Sequence, residues 1–358
     1  MSQHTFEEAK QVKPQELKVI ETDPQIAGVR FSPCGRYLVA GSFDSRVRRW
    51  AANDEEYKEL PSMSGHGGWV EAVAQRADGS TVFSADSWGK LQAWTHDVAG
   101  EPEKKWEVAD AHDGWVRGVD ISPDSEQIAT CGMDKTIALW SAKDGSLIRR
   151  TSSDVDLFCI RFHPQGEELV SGDQLGRLRR WSRTELKMIG EIDASGLYLY
   201  HRLQEVGGVR AIAFSADGSV VAAGGTRPKN GANVQGVPTA LLFDYQSGEQ
   251  QHEITFGATT HCYVHDLALH PAGFLMVVTS GTPGSGQLIF QAPGEEEPFF
   301  THTKIANCHS LTLHPDGKRF AVAGTNKGSN GNGRRLNKDG EYQGNKTPIH
   351  VFDFGWPT

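Results

Sequence analysis

The sequence lacks the patterns that mark helical and membrane-spanning proteins. No stretch of ten residues shows a convincing 3.6-residue apolar period, and no run of 18 apolar residues occurs. The first ten residues, MSQHTFEEAK, lack the basic and then apolar pattern of a secretory signal. We therefore expect neither long amphipathic helices nor a segment that crosses a membrane.

Cysteine is scarce, and its spacing excludes several kinds of site. The five cysteines form no CxxC pair, no haem-attachment motif and no zinc spacing. An odd number of scattered cysteines is typical of a reducing compartment, so the cytoplasm is the expected location. These residues are Cys34, Cys131, Cys159, Cys262 and Cys308.

Net charge and missing motifs narrow the function further. The formal net charge of −9 argues against a general binder of nucleic acid or of anionic membranes. The sequence has no serine nucleophile elbow, no phosphate-binding loop and no HExxH motif. No cofactor is therefore predicted, and the clues to function must come from the architecture.

What the sequence does contain is clearest in residues 111–140, AHDGWVRGVDISPDSEQIATCGMDKTIALW. Three short runs rich in Val, Ile and Thr, residues 116–121, 127–131 and 136–140, are separated by turns containing Pro, Asp or Gly. A fourth run follows at residues 146–151. The stretch therefore predicts a four-stranded antiparallel sheet.

The same pattern recurs seven times, at intervals of 41 to 55 residues. Such a period predicts seven four-stranded sheets arranged as a propeller. The turn after each first strand begins at Ser32, Arg76, Ser122, His163, Ser215, His270 or His314. An aromatic residue closes each third strand: Trp50, Trp94, Trp140, Trp181, Phe243, Phe290 and Phe352.

The two ends of the chain complement each other. Residues 16–20, ELKVI, nearly copy ELKMI at 185–189, which is the outer strand of the fourth repeat, whereas the last repeat has no fourth strand. We therefore expect residues 16–20 to complete the last sheet and close the ring. Residues 1–15 are expected to be a polar tail, and residues 16–358 a single domain.

These features resemble the WD40-repeat family of seven-bladed β-propellers. In that family a His, a Ser or Thr, an Asp and a Trp form a structural hydrogen-bonded tetrad, and His112, Thr130, Asp134 and Trp140 match all four places. In other repeats the Asp place is filled differently, by Trp88 in the second and Leu175 in the fourth. The resemblance implies an all-β, non-catalytic scaffold that binds a protein or peptide. The net charge of −9 indicates that neither nucleic acid nor a membrane is the partner.

Three insertions interrupt the repeats, at residues 194–208, 226–238 and 325–346. The connections that carry them emerge on one face of a propeller, and loops on rigid scaffolds often bind partners. Tyr198 and Tyr200 in the first, and Arg334 and Arg335 in the third, are candidate contacts. The alternatives are solvated loops, or aromatics that fold back onto the propeller.

The first strands should line the central channel. The position five residues before each turn is polar or large in six of seven repeats, and it should face the mouth on the insertion-bearing side. Arg117 and Arg210 have the geometry to pair with a carboxylate or phosphate. The alternative is ordinary hydrated channel lining. The seven residues are Ala27, Glu71, Arg117, Phe158, Arg210, His265 and His309.

A second hypothesis is a propeller enzyme, similar to a metal-dependent lactonase or hydrolase, with its site at this mouth. Glu71 and the neighbouring His265 and His309 offer too few ligands, so no metal is predicted.

Arg49 and Arg180 lie on the strand face that should be buried, and each requires a carboxylate partner or an escape to solvent.

Overall fold

The computed structural model describes most of the chain: residues 4–53, 55–97, 99–201, 203–230, 235–282, 284–325 and 346–357. Short strands joined by tight turns dominate it, because Val, Ile and aromatic residues alternate with turn residues throughout the sequence. No helix in these ranges has the length and apolarity needed to cross a bilayer.

The strands form seven antiparallel four-stranded blades in a ring. The chain starts with α1 (Phe6–Ala9) and β1 (Gln15–Ile20), and blade one is β2 (Ile26–Phe31), β3 (Tyr37–Ser42), β4 (Arg46–Ala51) and β5 (Glu59–Ser64). Blade two is β6 (Val70–Gln75), β7 (Thr81–Asp86), β8 (Leu91–Thr95) and β9 (Lys104–Val108). Blade three is β10 (Val116–Ile121), β11 (Gln127–Gly132), β12 (Thr136–Ser141) and β13 (Leu147–Ser152).

The second half of the ring carries additional elements. Blade four is β14 (Leu157–Phe162), β15 (Glu168–Asp173), β16 (Arg177–Ser182) and β17 (Met188–Asp193), followed by a 3-10 turn (Ser195–Leu197) and the hairpin of β18 (Tyr198–His201) and β19 (Gln204–Gly207). Blade five is β20 (Ala211–Phe214), β21 (Val220–Asn230), β22 (Gln235–Asp244) and β23 (Gln250–Thr255), followed by a 3-10 turn (Thr259–His261). Blade six is β24 (Tyr263–His270), β25 (Phe274–Ser280), β26 (Gln287–Gln291) and β27 (Phe300–His302), and blade seven starts with β28 (Ser310–Leu313), β29 (Arg319–Ala323) and β30 (Ile349–Asp353).

Blade seven is completed by the first strand of the chain. β1 pairs antiparallel with β30, with Ile20 opposite Ile349 and Gln15 opposite Asp353. The sheet order is β1, β30, β29, β28, so the N-terminal strand is the outer strand. This arrangement confirms the predicted ring closure and the seven-bladed propeller.

The N-terminal residues before β1 also contact the ring. Thr5 and Glu8 form a capping box at α1, and Ala9 is completely buried. Ala9 and Val12 pack in the same apolar cluster as Phe274, Phe290 and other residues of blades six and seven. In the described part of residues 1–15, this segment is therefore packed against the last two blades.

Histidines in the turns connect neighbouring blades. His163 lies 3.0 Å from the carbonyl oxygen of Gly218 in the corresponding turn of blade five, and its Nδ1 accepts the N–H of Gln165. His314 makes the same contact across the closure, 2.8 Å from the carbonyl oxygen of Gly35 in blade one. Because Nδ1 is the acceptor, Nε2 carries the proton that binds the next blade.

The two arginines expected to need carboxylates find different solutions. Arg49 is fully buried, and it donates to the carbonyl oxygens of Pro61, His96 and Gly100 at 2.8, 3.2 and 2.9 Å. Main-chain carbonyl oxygens of three residues therefore bind the buried guanidinium of Arg49. Arg180 forms a bidentate pair with Glu168, at 2.9 and 3.0 Å.

The closure can be tested with two substitutions in one strand. Ile20 is 8% exposed and packs against Ile26 and Ile349, whereas Leu17 is 53% exposed. We expect Ile20→Ala to lower the free energy of unfolding by about 2–4 kcal/mol, because it leaves a cavity where blade seven meets blade one. Leu17→Ala should change it by less than about 0.5 kcal/mol. Urea unfolding of both variants measures the difference.

A truncation tests the same strand as a whole. Deleting residues 1–21 removes β1 and leaves the outer side of β30 unpaired, so the melting temperature should fall strongly. An unchanged melting temperature, or equal small effects of the two point substitutions, would show that β1 does not hold the ring closed.

Candidate functional site

The first strands of the blades surround a central cavity, and the seven positions singled out from the sequence all line it. Six of them bear a side chain larger than a methyl group. At one end the cavity opens into a mouth bordered by Phe43, Asn307 and Thr325, and Thr325 leads into the insertion 325–346. The mouth therefore opens on the insertion-bearing face. The lining includes Ala27, Glu71, Arg117, Phe158, Arg210, His265 and His309.

Arg117 is held on two sides. Its Nη1 donates to Glu71 Oε2 at 3.0 Å, and the guanidinium lies 4.2 Å from the ring centre of Trp115. Burial raises the pKa of Glu71, and the positive charge of Arg117 opposes that rise. The two side chains come from adjacent blades, so this ion pair joins β6 and β10 across the channel wall.

Arg210 has aromatic neighbours instead. Its guanidinium lies 5.1 Å from the ring centre of Phe158 and 4.5 Å from that of Tyr263. Burial lowers the pKa of Arg210, although it remains a cation at neutral pH. Cation–π contacts of this kind orient a guanidinium without neutralising its charge.

The two histidines at the mouth are uncharged at neutral pH. Burial lowers the pKa of His265 to about 3, and the nearby Arg210 and His309 add to the shift. The ring nitrogens of His309 face two main-chain carbonyl oxygens, of Asn307 at 3.2 Å and of Ile26 at 3.0 Å. In the described residues no group of three or more His, Cys, Asp or Glu side chains is placed to hold a metal ion.

Aromatic side chains form a second feature on this face. Phe43 stacks on Trp69, with ring centres 4.7 Å apart, and Trp69 meets Trp115 edge to face at 5.9 Å. Trp69 is 46% exposed and the nearby Trp88 is 71% exposed. We refer to Phe43, Trp69, Trp88 and Trp115 as the aromatic patch. The indole Nε1 of Trp115 is buried and has no hydrogen-bond partner among the described residues.

Two glycines allow Trp88 to lie close to the main chain. A Cβ at Gly67 would come within 2.6 Å of the Trp88 ring, and one at Gly68 within 2.9 Å. The indole therefore covers residues 67 and 68 of the connection that precedes β6, and its outer face stays exposed. The sequence interpretation treated Trp88 only as a substitute in the tetrad and missed this role.

The insertions differ from one another. Residues 194–208 form the β18–β19 hairpin, in which Leu197 is fully buried against blade five while Tyr200 is exposed. Tyr198 is half-buried, and its hydroxyl lies 3.4 Å from Glu205 Oε1. In the second insertion, residues 226–230 and 235–238 extend β21 and β22 beyond the blade. Arg334 and Arg335 lie outside the described residues.

The tetrad of blade three is a buried network. His112 contacts Asp134 Oδ1 through Nδ1 at 3.0 Å and Thr130 Oγ1 through Nε2 at 2.7 Å. Trp140 donates its indole N–H to the same Thr130 oxygen at 2.9 Å. These bonds satisfy polar groups that have no access to water, which is a structural task.

Two other blades correct the sequence alignment of the tetrad. In blade two, the carboxylate that contacts the histidine belongs to Asp86 and not to residue 88, and its Oδ2 lies 3.0 Å from His66 Nδ1. The other ring nitrogen of His66, Nε2, lies 2.7 Å from Ser84 Oγ. In blade four, Asp173 rather than residue 175 binds the turn amides and Arg179 Nε, at 2.9 Å. In both blades the carboxylate stands two residues after the serine, whereas in blade three it stands four residues after the threonine.

Comparison with known families agrees with this geometry. Residues 15–51 and 103–141 match the family described as "WD domain, G-beta repeat". Each matched segment includes strands of the ring, and the second contains the complete tetrad. The chain is a seven-bladed propeller that contains WD40 repeats.

Several curated proteins are similar to this WD40 propeller. "Telomerase protein component 1" of Rattus norvegicus is 28% identical over 324 residues, which cover 87% of this chain and 11% of that protein. "Protein groucho" of Drosophila melanogaster is 24% identical over 157 residues, which cover 44% of this chain and 21% of that protein. "Nuclear distribution protein PAC1" of Arthroderma otae is 26% identical over 192 residues, which cover 46% of this chain and 41% of that protein. The propeller thus corresponds to a minor part of each relative.

The hydrogen bonds of Asp134 in the tetrad predict how the stability of the fold depends on pH. Burial raises the pKa of Asp134, but hydrogen bonds from His112 and from the amides of Thr136 and Asp113 bring it down to about 2. A lowered carboxyl pKa stabilises the fold above about pH 4, and this contribution is lost as the pH falls towards 2. Asp134→Asn should therefore cost about 2 kcal/mol at pH 7, and the difference from the wild type should shrink between pH 4 and 2.

Chemical denaturation at several pH values measures this effect. Asp113→Asn is the matched control, because Asp113 is the exposed carboxylate next to the same network. It should change the free energy of unfolding by less than about 0.5 kcal/mol at every pH. A difference between wild type and Asp134→Asn that stays constant down to pH 2 would contradict the role assigned to the carboxylate.

Proposed function

We propose that this WD40 propeller is a non-catalytic scaffold that binds a protein or peptide through the channel mouth and the insertion-bearing face. The observation that supports it best is the aromatic patch beside the mouth, where two indoles are exposed on a rigid framework. Residues 16–358 act together in this proposal as one binding domain, and no cofactor is involved.

The energetic argument concerns tryptophan. An indole exposes a large apolar surface with a single donor, and Trp is enriched among the residues that contribute most to protein interfaces. Covering one exposed indole by a partner contributes on the order of 2 kcal/mol. Trp69 and Trp88 together therefore offer enough surface to determine where a partner binds.

Rigidity strengthens this argument. Trp69 is stacked on Phe43 and in edge contact with Trp115, and Trp88 lies over two glycines. Side chains that are already ordered lose little conformational entropy when a partner binds. The β18–β19 hairpin, with Tyr200 exposed, adds a second contact surface on the same side.

The non-catalytic part of the proposal is supported by the tetrad. The hydroxyl of Thr130 is completely buried and already accepts the indole N–H of Trp140, so no substrate can reach it. His66, Ser84 and Asp86 of blade two form a second set of His, hydroxyl and carboxylate, and the Ser84 hydroxyl is also completely buried. Hydroxyls without access to a substrate support a structural role for both sets.

The partner and the location follow from composition. The net charge of −9 supports a protein rather than a nucleic acid or an anionic membrane as partner. None of the five cysteines, all of which lie in the described residues, forms a disulfide, and four of them are buried. Free thiols are usual in a reducing compartment, so we propose that the protein acts in the cytoplasm.

The double variant Trp69→Ala/Trp88→Ala tests the proposed face. The tagged protein is used to co-purify partners from a lysate of its own cells, and the recovered proteins are quantified by mass spectrometry. We expect the recovery of specific partners to fall at least about tenfold, because each truncated indole removes on the order of 1–2 kcal/mol of binding energy.

The matched control is Met188→Ala/Ile189→Ala. These residues are 53% and 52% exposed, but they lie on the outer strand of blade four, away from the mouth. The control should retain every partner, and both variants should keep the wild-type melting temperature. Loss of partners in the control alone, or their retention by the Trp variant, would place the binding surface elsewhere.

A further inference from the structure

The charges inside the channel are unevenly paired. Four guanidinium groups line the cavity, and three of them have a carboxylate near them. The nearby carboxylates belong to first strands of the same or another blade, so these charges are balanced within the protein. The pairs are Arg30 with Asp266 at 2.8 Å, Arg117 with Glu71 at 3.0 Å, and Arg161 in electrostatic range of Asp120.

Arg210 is the exception. In the part of the chain that the structure describes, no carboxylate lies within ion-pair distance of its guanidinium, and its close neighbours are the rings of Phe158 and Tyr263. Burial lowers its pKa, the hydroxyl of Tyr263 opposes that shift, and the positive Arg117 adds to it. The surroundings thus leave one cation without a counter-charge.

The neutral histidines do not change this balance. His265 and His309 line the same cavity and carry no charge at neutral pH, since burial lowers the pKa of both. A cation in such a site is stabilised by an anion from outside, and a guanidinium presents two parallel N–H groups that match carboxylate or phosphate oxygens.

We propose that Arg210 receives an anionic side chain, a carboxylate or a phosphate, of a peptide segment that enters the channel mouth. This inference rests on the proposed scaffold function and specifies the chemistry of the partner. The partner segment crosses the aromatic patch and places one acidic or phosphorylated side chain in the channel, against Arg210.

The dimensions and charges of the cavity favour this kind of ligand over others. The cavity has a volume of about 170 Å³, which accommodates a side chain but not a folded element. A lysine or arginine side chain would be repelled by Arg210. Arg210 is exposed to the water of the channel, so an apolar side chain that covered its guanidinium would remove this water without providing a counter-charge, which is costly for an ion.

The site can be probed with simple anions and blocked peptides. We suggest thermal-shift titrations of the full chain with inorganic phosphate, at constant ionic strength against chloride. Three pentapeptides, acetyl-Gly-Gly-X-Gly-Gly-amide with X as Glu, phosphoserine or Gln, distinguish carboxylate from phosphate and from a neutral side chain. The concentration dependence of the melting temperature yields an apparent affinity for each probe.

The informative variants are Arg210→Gln and Arg210→Lys. Arg210→Gln should weaken binding of phosphate and of the preferred anionic peptide at least about tenfold, because a charge-assisted bidentate contact is lost. Arg210→Lys should fall between wild type and Arg210→Gln, since it keeps the charge but not the fork. Arg46→Gln, which removes an exposed arginine from β4, is the control and should bind like the wild type.

The outcomes separate this inference from the scaffold proposal. If anions stabilise wild type and Arg210→Gln equally, or stabilise neither, the anion site is overturned even when the Trp variant has lost its partners. If Arg210→Gln loses both the anion and the co-purified partners while Arg46→Gln keeps them, the inference is supported. Should Arg210→Gln fail to fold, Arg210→Lys still decides the result, because undiminished binding would exclude bidentate recognition.

Discussion

The hydrogen bonds between β1 and β30 are the interaction on which the rest of the structure depends. Without them, blade seven has three strands and an exposed edge, and the apolar cluster around Ile20, Ile26 and Ile349 is open to water. With them, the ring is continuous, and every first strand is held at a fixed distance from the channel axis. The contact of His314 with blade one reinforces the same junction.

A closed ring explains why polar side chains can be ordered in the channel. Arg117 and Glu71 approach each other from adjacent blades. Arg30 of blade one binds Asp266 of blade six. Such contacts require each blade to be in register with its neighbours, because a small rotation of one blade would separate the charges. The mouth is therefore a rigid surface on which a few unpaired groups, such as Arg210 and the exposed indoles, stand out.

Much of the fold could be predicted because the repeat is encoded locally. The turn residues and the aromatic residue of each third strand recur at a regular interval, and the strands of blade three lie within one residue of their predicted positions. The closure was predicted from the likeness of residues 16–20 to 185–189, although the outer strand β17 begins only at Met188, so the prediction that residues 185–189 form that strand is correct only for its last two residues. These signals depend on backbone periodicity, which short segments carry by themselves.

The side-chain contacts were harder to predict, for physical reasons. Asp86 and Asp173 reach their partners from two residues after the serine, so an alignment that expects one spacing assigns the place to Trp88 or Leu175. Arg49 binds carbonyl oxygens, which every residue possesses and which no sequence pattern reveals. The stacking of Phe43 on Trp69 joins two blades, and the fit of Trp88 over Gly67 depends on local geometry that composition does not show.

The position of β1 has a consequence for biosynthesis. Within the ring, β1 is synthesised before every blade, whereas its hydrogen-bonding partner, residues 349–353, is synthesised after all other strands of the propeller. During elongation the nascent blades can stack in order, but the ring stays open and both of its end blades keep an unprotected side. Closure therefore waits until all seven blades have been synthesised.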